Sequence, residues 1–272
     1  MRILKKIARK ILPKAAGSKN HSSDELSRLA ARAREFKSVL HAIKTQHPLP
    51  SNRGFWYPYS TLDNFIEIEK TLTGTNRNLF CKVLSEPVAD VGGADGDICY
   101  FLEKQGFKRL QLIENRNLNC SRLAGAKTLK KVLRSGVDIC DIDIDTDFRL
   151  PQKRYGLILF LGILYHLRNP MLALQILAQQ GRYCLISTRV ASRIPGLSPK
   201  ADAAPLAYLL DKTELNNDSS NYWIFTPEGL RRMLTRCGWN VVDFAVCGNI
   251  GKSYPASLEG CERAFCLLES GY

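Results

Sequence analysis

The chain has 272 residues, 45% of them apolar, and a formal net charge of +13. This length and apolar share suit one large α/β domain with an added helical segment, and they exclude a chain disordered throughout. Nine cysteines with no C-x-x-C pair, several of them inside apolar runs, read as reduced thiols of a cytosolic protein; only one of four histidines, His166, lies beyond residue 47, so no metal site is expected.

The charge is unevenly placed: through Phe55 there are 13 basic and 3 acidic residues, a balance of +10, and the rest of the chain carries only +3. Ile3, Leu4, Ile7, Ala8, Ile11 and Leu12 recur at helical spacing, with Arg2, Lys5, Lys6, Arg9 and Lys10 on the opposite side and Pro13 closing the segment. The pattern is a basic amphipathic helix. It is too interrupted for a signal peptide and lacks the roughly 20 apolar residues of a membrane span. It suits a docked terminal helix, adsorption of residues 1–14 to an anionic membrane surface at the inner face of the membrane, or an RNA-contacting arm. Residues 1–20 are therefore read as helix and linker, 21–78 as a helical cap, and 79–272 as the main domain.

In the cap, Ser23-Asp24-Glu25 starts a helix carrying Leu26, Leu29, Ala30, Ala33, Phe36, Val39, Leu40 and Ile43, which ends before Pro48. An aromatic loop, Phe55-Trp56-Tyr57-Pro58-Tyr59, precedes a further helix through Ile66, Ile68 and Leu72. These rings serve either as a clamp between cap and core or as a wall of a substrate pocket, with Tyr57 the candidate contact.

The run Val88-Ala89-Asp90-Val91-Gly92-Gly93-Ala94-Asp95-Gly96 is a short apolar strand ending in an acidic, glycine-rich turn that opens a helix at Ile98–Leu102. Small residues there let a ligand touch the backbone, and the helix start favours a negatively charged ligand group. A second strand, Leu110–Ile113, ends in Glu114, about 20 residues beyond the turn, where a carboxylate can accept from both ribose hydroxyls. A third, Val137–Cys140, leads into Asp141, placed to accept from an adenine amino group. A fourth, Tyr155–Gly162, delivers Ile163-Leu164-Tyr165-His166-Leu167-Arg168-Asn169-Pro170 at its C-terminal edge, where open α/β sheets bind ligands.

These four positions resemble the class I S-adenosylmethionine-dependent methyltransferases, from about Cys81 to the C-terminus. The resemblance implies a seven-stranded Rossmann-like sheet with helices on both faces and S-adenosyl-L-methionine as cofactor. It assigns Asp90, Gly92, Gly93, Asp95, Gly96, Glu114, Asp141 and Leu161 to that cofactor. Gly162–Pro170 is similar to the G-x-L-Y-H-x-x-x-P segment of enzymes related to the wobble-uridine tRNA carboxymethyltransferase. Asn217-Asp218 with Asn221-Tyr222-Trp223 resembles a second motif of that group. The fourth strand begins Tyr155-Gly156, where the superfamily often has Phe-Asp.

Beyond that strand a helix over Met171–Gln180 and a strand over Tyr183–Thr188 follow, then Ala191–Leu215, a Pro-, Ser- and Ala-rich stretch expected to cover the site. Thr226-Pro227 starts another helix, and Trp239–Phe244 and Ala264–Leu268 supply the last strands. Each candidate acceptor residue has two readings. His166, with its neighbour Tyr165, is a general base or substrate-orienting group, or a backbone anchor of its loop. Arg168 is a phosphate or carboxylate clamp, or a surface charge. Glu214, Asn217, Asp218, Asn221 and Trp223 form a polar substrate wall, or Asx-turn chemistry in a loop. Gly251-Lys252-Ser253 is no phosphate loop, because Val246 stands where the earlier glycine is required.

The expected activity is methyl transfer to a small polar, glycan or lipid-linked acceptor. The alternatives are a tRNA-modifying methyl- or carboxymethyltransferase acting at the wobble uridine and a non-catalytic, membrane-associated scaffold.

Overall fold

The computed structural model describes residues 24–147, 149–197, 201, 203–257 and 260–272. The amphipathic helix and linker read at residues 1–20 lie outside the described residues.

The architecture is an α/β sandwich built on one nine-stranded sheet. The strands are β1 (Val88–Val91), β2 (Leu110–Glu114), β3 (Asp138–Asp141), β4 (Tyr155–Leu161), β5 (Gly181–Val190), β6 (Ala207–Leu209), β7 (Trp223–Phe225), β8 (Trp239–Gly248) and β9 (Glu262–Ser270). Five strands run parallel in the order β3-β2-β1-β4-β5, antiparallel β9 joins the far side of β5, and β8 pairs with β9. Because both faces are covered, β1 and β2 are buried at every residue, which explains their continuous apolar runs.

Side chains alternate across this sheet. Val88, Leu110, Leu112, Leu157 and Leu159 face a core that also holds Leu26, Leu29, Phe36 and Leu40, so the helical cap completes one layer. Ala89, Val91, Ile113, Ile158 and Phe160 face the opposite core. The first layer comprises α1 (Glu25–Gln46), α2 (Asn64–Thr71), α3 (Asp97–Lys104) and α4 (Ala124–Leu133); α5 (Pro170–Gln180) and α6 (Pro227–Arg236) pack on the other face. Asp24 caps α1 by accepting the Ser27 N–H at 2.9 Å, and Thr226 caps α6 by accepting from Gly229, with Pro227 in the first turn.

Two features depart from the sequence reading. The stretch Ala191–Leu215 contains β6, which forms an antiparallel ribbon with β7 that continues from β5 through the Val190–Phe225 pair. Only Leu215 of that stretch's described residues lines the central cavity. Helix α4, which the sequence reading did not identify, turns the stripe Ala126, Leu129, Val132 and Leu133 onto the first core. No helix of the described residues is long and apolar enough to cross a membrane.

Candidate active site

The turn after β1 is built by its glycines. Gly92 has φ +72°, and a Cβ placed on it would lie 2.2 Å from Ile163 Cδ1, so conformation and space both demand glycine. Gly96 (φ +82°) turns the chain into α3, and a Cβ on Gly93 would lie 2.3 Å from Asp90 Oδ2. Asp90 is thus buried beneath the turn, where desolvation, reinforced by Glu114, pushes its pKa up to about 8. Asp90, Gly93 and Gly96 shape the turn; Gly92 and Asp95 line the cavity. Asp95 is also a clasp, accepting from Lys44 Nζ at 3.1 Å and from the Tyr57 main-chain N–H at 2.9 Å.

Glu114, at the end of β2, is buried and accepts the Ala94 N–H at 2.5 Å. Burial raises its pKa to about 7, against the opposing hydrogen bonds from Ala94 and Asn119. Asp141 does not join it. That carboxylate is exposed, 3.0 Å from Arg116 Nε, and also accepts the Arg116 N–H; Ile142 and Asp143 line the cavity in its place. Arg168 is likewise outside the cavity, because Asp145 accepts both its main-chain N–H and its Nε at 3.0 Å. This pairing secures the loop after β4.

Beyond Leu161 and Gly162, the one-turn helix Leu164–His166 sets the Tyr165 and His166 rings 4.2 Å apart at the cavity wall. His166 Nδ1 lies 3.1 Å from both the carbonyl and the hydroxyl oxygen of Ser220. The Ser220 hydroxyl donates its own hydrogen to Asp218 at 2.7 Å, so Nδ1 must be the donor toward Ser220. That tautomer leaves the Nε2 lone pair without a partner among the described residues. Burial lowers the His166 pKa and keeps the ring neutral. Tyr57 also lines the cavity, with its phenol pushed up to about 12, chiefly by burial, and packs edge-on to Tyr59.

Of the polar cluster after β6, Asp218 and Asn221 reach the cavity, and Asn221 fixes the turn by donating to the Leu215 carbonyl at 3.1 Å. Glu214 does not: it accepts from Tyr208 and from the Asp211 N–H. Asn217 is exposed with φ +57°, and Trp223 packs against the second core. Local turn chemistry accounts for Glu214 and Asn217.

No protein-family model and no curated protein matches the sequence. Solved structures match its fold. The N-terminal domain of EvdMO1, crystallised in the presence of SAH and D-fucose, is 16% identical, covers 99% of this chain and 96% of that domain, and has a TM-score of 0.52. The chain spans 47% of the longer EvdMO1 structure. A S-adenosylmethionine-dependent methyltransferase from Mesorhizobium loti is 14% identical with a TM-score of 0.50, covering 71% of this chain and 94% of that one. The chain has the fold of a class I S-adenosylmethionine-dependent methyltransferase. The [4+2]-cyclase SpnF, 11% identical over 94% of this chain and 99% of its own, has a TM-score of 0.54, so chemistry must be argued from the site and not from the fold.

In this methyltransferase fold, one cavity of about 1110 Å³ runs along the C-terminal ends of the parallel strands, from Gly92, Glu114 and Asp143 to Tyr165 and His166. Its volume is at the upper end of the range for small-molecule sites. The first end brings together Gly92, packed against Ile163, the buried Glu114 carboxylate and Asp143. The second end holds two residues that the sequence reading missed, Arg189 on β5 and Arg263 on β9, directly opposed in the antiparallel register. Their only sequence signal was a charge inside each of two strands that are otherwise largely buried.

Proposed function

We propose that this chain is a S-adenosylmethionine-dependent methyltransferase whose acceptor is a small polar, glycan or lipid-linked molecule. The carrying observation is the continuity of the cavity, which joins the Gly92–Glu114 cradle to a neutral His166 whose Nε2 has no partner among the described residues. Gly92, Asp95, Glu114, Asp143 and Leu161 would hold S-adenosylmethionine, which when bound supplies an electrophilic methyl group on its sulfonium.

The residues of the chain do the rest. Tyr57 and Tyr165 wall the acceptor end and narrow the approach. His166 accepts the proton that an acceptor hydroxyl or amine loses as its oxygen or nitrogen attacks, while the Ser220–Asp218 chain holds the imidazole in the required tautomer. Alignment and exclusion of water supply most of the acceleration in such an arrangement. A sugar acceptor is favoured by the EvdMO1 domain having been crystallised with D-fucose.

Adsorption of residues 1–14 to an anionic membrane surface at the cytoplasmic face suits a lipid-linked acceptor, and their basic amphipathic pattern supports it. The +10 balance of the first 55 residues and the Gly162–Pro170 segment favour tRNA, at the wobble uridine, as the second reading. The deciding experiment is calorimetric titration of the chain with S-adenosylmethionine and S-adenosylhomocysteine, with and without total tRNA at two salt concentrations. Cofactor binding indifferent to tRNA is the expected result. Tight, salt-sensitive tRNA association would promote the second reading, and absence of cofactor binding would leave a non-catalytic scaffold.

A further inference from the structure

Two guanidiniums, those of Arg189 and Arg263, line the acceptor end of the cavity. The cavity's carboxylates are largely committed: Asp63 to Lys37, Glu67 to Lys70, Asp145 to Arg168 and Asp95 to Lys44, while Asp218, beside His166, accepts from Ser220. The two arginines are not. Among the described residues no carboxylate forms an ion pair with Arg189 or Arg263, although they are opposed on neighbouring strands. Arg189 is only 5% exposed; one of its terminal nitrogens donates to the carbonyls of Tyr254 and Ser257, and its Nε is buried without a partner. The Arg263 guanidinium reaches the end of β4, since a Cβ on Gly162 would lie 3.4 Å from its Nη1, and its centre is 5.8 Å from the Tyr165 ring.

Two guanidiniums in one cavity, Arg189 buried and Arg263 half-buried, repel each other and leave the Arg189 Nε donor unsatisfied, an arrangement that costs stability unless an anion completes it. The planar fork of arginine matches a carboxylate or phosphate in both charge and geometry. The position also matters. Arg263 stands beside Tyr165 at the end of β4, whereas the nucleoside cradle lies toward Gly92 and Glu114, so an anion held here belongs at the acceptor end.

We propose that the acceptor carries an oxyanion, a carboxylate or a phosphate, and that Arg263 and Arg189 bind it beside Tyr165 and so turn its nucleophilic atom toward the cradle. This rests on the methyltransferase reading above. The anion neutralises the paired guanidiniums, and neutral acceptors of the same shape are disfavoured because they leave the buried Arg189 and the half-buried Arg263 without a counter-charge.

The test uses the full chain saturated with S-adenosylhomocysteine and titrated calorimetrically with benzoate, phenyl phosphate and the uncharged benzamide. At least one anion should bind, benzamide should bind at least about tenfold more weakly, and Arg263→Gln should lose about tenfold or more in anion affinity, or 1.4 kcal/mol. Arg263→Lys should retain part of it, and both variants should keep the affinity for S-adenosylhomocysteine. Benzoate and phenyl phosphate distinguish the two oxyanion sources. Equal binding of benzamide, no binding of either anion, or an anion isotherm unchanged in Arg263→Gln would overturn the assignment while S-adenosylhomocysteine still binds; failure of S-adenosylhomocysteine to bind the unaltered chain would overturn the cofactor reading and this inference with it.

Discussion

The Lys44 ammonium lies 3.1 Å from the Asp95 carboxylate, with only 14% and 2% of the two side chains exposed, and it reaches Asp97 at 3.0 Å as well. One cation from the helical cap thus neutralises two acids of the glycine turn, and Asp95 in turn holds the main chain of Tyr57. The cap is therefore part of the site. Replacing Lys44 by Met strands both carboxylates, which should destabilise the fold by about 3 kcal/mol, the scale for removing one partner of a buried pair. It should also weaken S-adenosylhomocysteine binding, because the turn and the Tyr57 loop lose their common tie. Urea midpoints and calorimetry check this; a variant with unchanged stability would show that water takes over the role of Lys44.

Gly92 meets two constraints, a left-handed backbone and contact with Ile163. Gly92→Val should lower S-adenosylhomocysteine affinity by at least about tenfold, or 1.4 kcal/mol. Gly106 is the control: it too has positive φ, but a Cβ added there would meet no atom within 4 Å, so its valine variant should report backbone strain alone and leave cofactor affinity intact. Equal affinity in Gly92→Val and the unaltered chain would remove the turn from the cofactor site.

His166→Ala should reduce turnover by about 10²-fold, the scale of general acid–base catalysis, with little change in cofactor affinity. The pH dependence carries the sharper information. Burial holds the His166 pKa below its ordinary 6.5, so the neutral base persists at pH 7, and activity should fall only on the acid side of 6.5. That acid limb should vanish in the alanine variant. Full activity of His166→Ala across the pH range would leave the residue as an anchor of its loop through Ser220 and nothing more.

The sheet and the glycine turn are legible in sequence because parallel strands buried on both faces read as unbroken apolar runs and because the strained turn admits few residue types. The acceptor end is less so. Asp141, Asp143 and Asp145 alternate from the last residue of β3 onward, and composition alone cannot say where the strand stops facing its neighbours, so the cavity position fell to Asp143 rather than Asp141. Arg168 and Glu214 carry the right chemistry but are consumed by Asp145 and by Tyr208 with Asp211. Arg189 and Arg263 come together only through the pairing of β5 with β9, a contact between residues far apart in the chain that no local pattern records.

The buried Asp90 links the turn to stability. Its pKa rises from 3.8 in an ordinary setting to about 8 beneath Gly93, because desolvation and the neighbouring Glu114 both oppose ionisation. Between those values the folded chain keeps a proton that the unfolded chain has lost, so the contribution of Asp90 to stability should fall as pH rises from about 4 to about 8 and level off above. Glu114, raised to about 7, adds a dependence of the same sign over a narrower window. Asp90→Asn removes the larger contribution without changing shape, and it should flatten the profile and leave the variant more stable than the unaltered chain at pH 8. Urea unfolding at pH 5 and pH 8 measures the difference. If the two chains lose stability in parallel over this interval, the acid beneath the turn is ionised in the folded state and a cation or water must reach it there.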